Sequence, residues 1–499
     1  MDSLNLPSTS RTRPWAGPLF YLALLACGAG IFLLIQWQGA ELQAPVLPVD
    51  VQVGEATSST DLSSPKVHVV HHVIATLAAV IALGFTLGVL LRAMGQPPVL
   101  GEVLAGIILG PSLLGAISPD ALHLLIPSGA ADPQGQVFAA LQVVAQLGVI
   151  LYMFLVGLEL DSGRLLHKAQ ATMAISHASI VLPFVLGSAI ALGLYPIYSH
   201  SGVPFTSFAL FMGAAMSVTA FPVLARILTD RGLEKTELGI VALGCAAVDD
   251  VTAWCLLAFV VSVARADTAN ALWVIGGAVT FIAFMFLIAR PVLARLVRTV
   301  EQSPGPLSPG AIAGTFLGVL LCALTTEAIG IHAVFGAFLL GVVLAHDGKL
   351  AREFTAKLKD PVTVLLLPAF FAYTGMRTQF NLLNSASDWW WCGLIILVAT
   401  IGKFGGTLAA GRLSGLPWRE SAALGCLMNT RGLMELIVLN IGLDLGVISP
   451  ALFAMMVVMA LVTTVATGPG LRLVMGKSLD SPVEAAAWHR PPLTPASHP

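Results

Sequence analysis

Charge is what this sequence has least of. Of 499 residues, 10% are Asp, Glu, Lys or Arg and 57% are hydrophobic, with a mean hydropathy of +0.87. A soluble domain carries about 25% charged residues, so a soluble fold is excluded and a polytopic membrane protein is indicated. The net charge is −2; without a basic domain, no nucleic acid is expected as a partner. Cysteine is scarce too. Cys27, Cys245, Cys255, Cys322, Cys392 and Cys426 all fall in apolar stretches, and none has metal-ligand spacing, so neither a disulfide framework nor a metal cluster is expected. No Walker A run or dinucleotide glycine fingerprint occurs, which speaks against an ATP-driven pump, a nucleotide-gated domain or any cofactor. No nucleophile, base and orienting group recur at workable spacing, so an enzyme is not expected.

What the chain does have is long apolar runs. A spanning helix needs about 20 such residues. About fourteen candidates are present: 15–37, 69–91, 97–115, 137–158, 171–197, 205–228, 238–264, 271–290, 310–330, 332–345, 361–378, 389–411, 421–442 and 451–472. If the N-terminus lies in the cytoplasm and the segments alternate, nearly all cations fall inside, among them Arg92, Arg164, Arg231, Arg295, Lys357 and Arg419. Lys66 and Arg265 fall outside, with Arg377 at an outer helix end. That asymmetry is the positive-inside pattern and predicts both termini in the cytoplasm. Arg11 and Arg13 before an apolar run also suit a cleaved signal peptide, but the run continues to Trp37, long enough to span. Three regions follow: residues 1–68 with an extra helix and an outer linker, a membrane domain over 69–475, and a short tail at 476–499.

Two local likenesses recur. Gly101 to Gly110 parallels Gly336 to Ala345, and Gly213 to Thr219 parallels Gly425 to Arg431. The first joins segment three to ten and the second joins six to thirteen. An offset of seven helices inverts the topology, as in secondary transporters that bind substrate at mid-depth on broken helices. Segments six and thirteen are the expected broken pair. Ser217, Thr219 and Pro222 lie in one, Asn429, Thr430, Arg431 and Gly432 in the other. Interrupted backbone at that depth suits a cavity lining.

Asp249 and Asp250 stand side by side in the apolar stretch 238–263. One Asp at a helix centre costs roughly 2.5–3.5 kcal/mol by insertion scales, so two imply an ion or proton site. Lys403 is central in segment twelve and needs an anion. Glu435, four residues after Arg431, can pair with that arginine as a mainly structural support; Glu102 is a further deep acid. Lys403 is then left to the aspartates. Adjacent helical residues point about 100° apart, so one Asp can meet Lys403 while the other faces a cavity and exchanges a proton for a hard monovalent cation. Thr219 can supply that cation with a hydroxyl.

The Ala-Val-Asp-Asp run ending at Asp250, the mid-helix Lys403, Ser-Val-Thr-Ala-Phe-Pro at 217–222 and Met-Asn-Thr-Arg-Gly-Leu-Met-Glu-Leu at 428–436 resemble the monovalent cation:proton antiporter-2 superfamily. The likeness is strongest to plant-type cation/H+ exchangers and Kef-like bacterial proteins, and covers about residues 69–475. It implies an all-α NhaA-like fold with two crossing broken helices, a dimerisation domain and a moving core of segments five to seven and twelve to fourteen. It implies Asp250 as the principal ion-binding aspartate, Asp249 paired with Lys403 as in electrogenic members, and Thr219 and Asn429 at the crossover. The expected activity is K+ or Na+/H+ exchange in pH homeostasis by a multi-pass homodimer in a cell membrane, the bacterial inner membrane. A Kef-like gated K+ efflux system or channel and a non-transporting sensor are the alternatives. The chain departs from the pattern in its extra first helix and in having no large regulatory domain after Lys477. The choice between Na+ and K+ is not written in these motifs.

Overall fold

The computed structural model describes residues 16–45, 68–127, 132, 135–159, 169–233, 236–264, 268–302, 305–330, 332–344 and 348–476. Most of the outer linker, the C-terminal tail and the first fifteen residues lie outside the described residues, as do Lys66, Arg164 and Arg265. Among the described residues the chain is helical and has no strand.

The helices are α1 (Ala16–Gly39), α2 (Val69–Ala93), α3 (Val99–Leu109), α4 (Gln136–Glu159), α5 (Ala169–Tyr198), α6 (Phe205–Ser217), α7 (Phe221–Asp230), α8 (Glu237–Ala264) and α9 (Thr268–Phe284). The series continues with α10 (Arg290–Gln302), α11 (Pro309–Ile329), α12 (Ala333–Val343), α13 (Lys349–Pro361), α14 (Leu367–Arg377), α15 (Ala386–Leu413), α16 (Trp418–Met428), α17 (Leu433–Asp444) and α18 (Pro450–Met475). Ser308 and Ser449 open α11 and α18, each accepting from a backbone N–H in the first turn and each followed by Pro. The serine supplies an orphan donor with an acceptor, and the proline has no donor to lose there.

Each apolar segment of the sequence contains a helix. Among the described residues nine helical spans have the length and hydropathy to cross a membrane alone, or ten with the bent pair α16–α17. The expected fourteen counts further segments whose helices are shorter or interrupted, such as α6 and α12.

The inverted repeat is visible in the packing. α3 lies on α14, and α12 lies on α4. At the first crossing a Cβ on Gly106 would fall 2.2 Å from the Ala372 carbonyl oxygen, and one on Gly375 would fall 2.4 Å from that of Val103. At the second, a Cβ on Gly341 would fall 2.4 Å from the Phe154 oxygen, and one on Gly157 would fall 2.3 Å from that of Phe338. Val103 and Gly106 correspond to Phe338 and Gly341 under the offset that relates Gly101 to Gly336, and Phe154 and Gly157 correspond to Ala372 and Gly375 under a second, shorter offset. Each repeat contributes its short glycine-rich helix to the other repeat's long helix, so the halves interlock.

Two bodies result. One gathers α2, α3, α4, α11, α12 and α14; the other gathers α5–α8 and α15–α18. The second carries both broken helices and both aspartates. α1 packs on α5 and α6, where Gln36 Nε2 donates to Thr206 Oγ1 at 3.1 Å.

The glycine crossings predict a selective sensitivity. Gly157→Ala and Gly106→Ala force backbone apart at a packed crossing, and overpacking costs about 1–3 kcal/mol. Thermal unfolding in detergent should show both destabilised. Gly276→Ala, where a Cβ would meet nothing within 4 Å, should melt like the parent; equal melting of all three would refute the crossing argument.

Candidate ion and proton site

α6 stops at Ser217 because Val218 turns to extended backbone, with φ −71° and ψ 140°. The helix resumes at Phe221. Pro222 therefore sits in the first turn of α7, where a missing N–H breaks nothing. α16 stops at Met428 and α17 resumes at Leu433. The two interruptions cross. Ala220 N donates to Thr430 O at 3.0 Å, and a Cβ on Gly432 would lie 2.8 Å from Val223 of α7.

A helix that ends inside a membrane leaves its last carbonyls without partners, and no water is at hand to supply them. Here cations fill that role. Arg431 Nη1 donates to Ala215 O at 3.1 Å and Nη2 to Met216 O at 2.7 Å. Lys403 Nζ donates to Ser217 O. Positive charge at a helix C-terminus also complements its dipole. Arg431 itself is fixed by α18, whose Thr464 Oγ1 donates to Arg431 O at 2.7 Å.

Lys403 has a second partner. Its Nζ lies 2.8 Å from Asp249 Oδ2, with both side chains fully buried. Thr219 Oγ1 donates to the same oxygen at 2.8 Å. Two serines of α5 complete the shell: Ser179 Oγ lies 3.1 Å from Oδ2, and Ser176 donates to Oδ1. Asp249 thus meets one ammonium and three hydroxyls.

Asp250 is the opposite case. It is 1% exposed, and neither carboxylate oxygen has a hydrogen-bond partner among the described residues. Asn429 Oδ1, at the interruption of the second broken helix, is likewise buried and unpartnered. An unpaired buried carboxylate carries a penalty of several kcal/mol if charged, so this position calls for a proton or a cation.

The structure brings Asp249, Lys403 and Thr219 together directly. Thr219, expected beside Asp250 as an ion ligand, directs its hydroxyl proton toward Asp249. Arg431 and Glu435 do meet, at 3.4 Å, but the shorter bonds of Arg431 go to the α6 carbonyls. Glu102 stands apart, in the other body. Ser176, Ser179, Thr464 and the carbonyl of Ser217 were not anticipated. The serines did leave a signal: they lie three apart in an apolar helix and so share one face.

Comparisons with known proteins place the chain in a family. The family described as sodium/hydrogen exchanger, transmembrane, matches residues 76–477. The Na(+)/H(+) antiporter NhaS4 of Synechocystis is 44% identical over 401 residues, which cover 80% of this chain and 95% of that protein. Cation/H(+) antiporter 18 of Arabidopsis thaliana is 39% identical over 83% of this chain, which spans 50% of the plant protein. The sodium proton antiporter MjNhaP1 of Methanocaldococcus jannaschii shares the fold, with a TM-score of 0.59 at 14% identity over 85% of this chain. A family match over most of the length, together with a relative this similar over nearly all of its own length, shows that the chain belongs to the sodium/hydrogen exchanger family.

Proposed function

We propose that this protein exchanges a monovalent cation, K+ or Na+, for protons by alternating access, with Asp250 as the group at which the two compete. One observation carries the site assignment: a fully buried carboxylate without a partner, beside a fully partnered one, at the crossing of two broken helices. A proton neutralises Asp250 in one half-cycle and a dehydrated cation does so in the other. Asn429 Oδ1, buried and unpartnered among the described residues, is an oxygen ligand of the kind such a cation takes. Family membership and the antiporter names of the relatives support exchange as the activity.

Asp249 and Lys403 form the second element. The three hydroxyls around Asp249 each accept as well as donate. If Asp249 takes a proton, one of them reverses its bond and no polar group is orphaned, while Lys403 keeps Ser217 O. The pair is therefore built to open, which supports a cycle in which both aspartates carry protons and one cation returns. Such a cycle moves net charge. The charge asymmetry of the loops supports both termini in the cytoplasm, in a cell membrane such as a bacterial inner membrane. The body formed by α2–α4, α11, α12 and α14 would meet a second copy in a homodimer, and the aspartate-bearing body would move against it.

Purified Asp250→Asn protein in liposomes should lose pH-driven cation exchange while keeping its fold; near-normal exchange would sink the site. Under a clamped membrane potential the parent protein should show a rate and reversal point that follow the potential, and indifference to potential would defeat the electrogenic cycle. Asp249→Asn should lower stability by about 3–5 kcal/mol, because removing one partner strands a buried charge. Adding Lys403→Gln should recover part of that loss, although the Ser217 carbonyl then has a weaker donor.

A further inference from the structure

Arg377 is among the few cations that the charge asymmetry leaves on the outer side, and it reaches across between the two bodies. It closes α14, in the body of the glycine crossings. Its guanidinium extends to α17 of the aspartate-bearing body, with Nη1 donating to Asn440 Oδ1 at 2.9 Å and Nη2 to Asp444 Oδ1 at 2.6 Å. Asn440 returns a bond, its Nδ2 donating to Thr374 Oγ1 of α14 at 2.9 Å. The Tyr373 ring lies under the guanidinium, 5.6 Å from its carbon. Three hydrogen bonds thus join the bodies within one turn of each helix.

Behind this link lies a small space of about 40 Å³ whose lining is mostly apolar, with Gln142, His332 and Asn440 among its polar residues. His332 stacks on Trp254, ring to ring at 6.2 Å, and Trp254 is one turn along α8 from Asp250. The link borders this space, and the His332–Trp254 contact ties the space to α8, the helix of the aspartates. Elsewhere the same two bodies are parted by a cavity of about 360 Å³, lined by Glu102 and Tyr152 on one side and Val223 and Leu433 on the other. The bodies are shut at Arg377 and open at this cavity.

The exposure of the link is also what a movable contact needs. The Asp444 side chain is 46% exposed and that of Arg377 15%, so water screens the pair and can take over its bonds when it parts. Arg431, fully buried, has no such substitute.

We propose that Arg377, with Thr374, Asn440 and Asp444, is the outer gate: it holds the outer approach to Asp250 closed and must release before an ion can pass to or from that side. The inference rests on alternating access between the two bodies, and it names the contact that sets the balance between the two open forms.

The test uses the whole chain with its six cysteines replaced and Val149→Cys as a reporter, a position that lines this space and is 1% exposed. Labelling by an impermeant thiol reagent added outside should be slow. Arg377→Gln or Asp444→Asn should each speed it about tenfold, which is about 1.4 kcal/mol of lost closure. Unchanged labelling in either folded variant overturns the gate. Because an arginine–carboxylate pair holds its backbones too far apart for a direct disulfide, Arg377→Cys with Asp444→Cys is joined by a short reducible bis-thiosulfonate. Exchange should stop on joining and return on reduction; exchange that continues while joined also overturns the gate. Repeating the labelling in Asp250→Asn separates the two readings. The Arg377→Gln effect should persist there, whereas a fault in the ion site would show as exchange surviving Asp250→Asn with the gate effect intact.

Discussion

Unpaired backbone carbonyls inside a membrane are the constraint on which the rest of this structure depends. Breaking α6 at Ser217 leaves carbonyls at mid-depth that neither the helix nor lipid can satisfy. Arg431 and Lys403 resolve that conflict, and their placement dictates much else. Two buried cations need anions, which explains Glu435 and Asp249. Asp249 then needs donors for its remaining lone pairs, which explains Ser176, Ser179 and Thr219. The carboxylate left out of this network is Asp250. Its lack of partners among the described residues is thus the outcome of a network that is complete without it, which is the condition that the proposed competition between proton and cation needs.

The glycine crossings answer a different demand. Lipid tails are as apolar as a leucine side chain, so helices in a membrane gain little from hiding apolar surface and hold together through close van der Waals packing. Gly106 with Gly375, and Gly341 with Gly157, let backbones approach until carbonyls touch Cα atoms. Because the two crossings exchange helices between the repeats, neither half can rearrange by itself. That gives the body of α2–α4, α11, α12 and α14 the rigidity of a frame. The contacts that join it to the other body near Arg377 are polar and partly wet by comparison.

Much of this was legible in the sequence, and the parts that were not have physical reasons. The repeat could be read because glycine at a backbone crossing tolerates no substitute, so its spacing is preserved in both halves. The Asp249–Lys403 pair could be read because buried charges must balance. The partner choices of single hydroxyls could not. Thr219 lies within reach of both the Met428 carbonyl and Asp249, a meeting that depends on how the two interrupted helices cross. Four-residue spacing on a helix is visible in a string of letters, and it points Arg431 to Glu435. The stronger bonds of that arginine, to Ala215 and Met216, cross more than two hundred positions and depend on how two interrupted helices meet. The span count differs for a related reason: hydropathy counts apolar length, while α6 and α12 are short in themselves.

The first helix has a mechanical meaning. α1 is fastened to α5 and α6 and turns Leu33, Leu34 and Trp37 outward as exposed apolar side chains. It thereby acts as a fin on the body that carries the aspartates. A body with a fin cannot shift without displacing the lipid that wets it, and a helix stretch that no longer matches the local hydrocarbon depth resists by fractions of a kcal/mol per ångström. If the aspartate-bearing body moves as proposed, the thickness and viscosity of the surrounding bilayer become part of the load against which each turnover works.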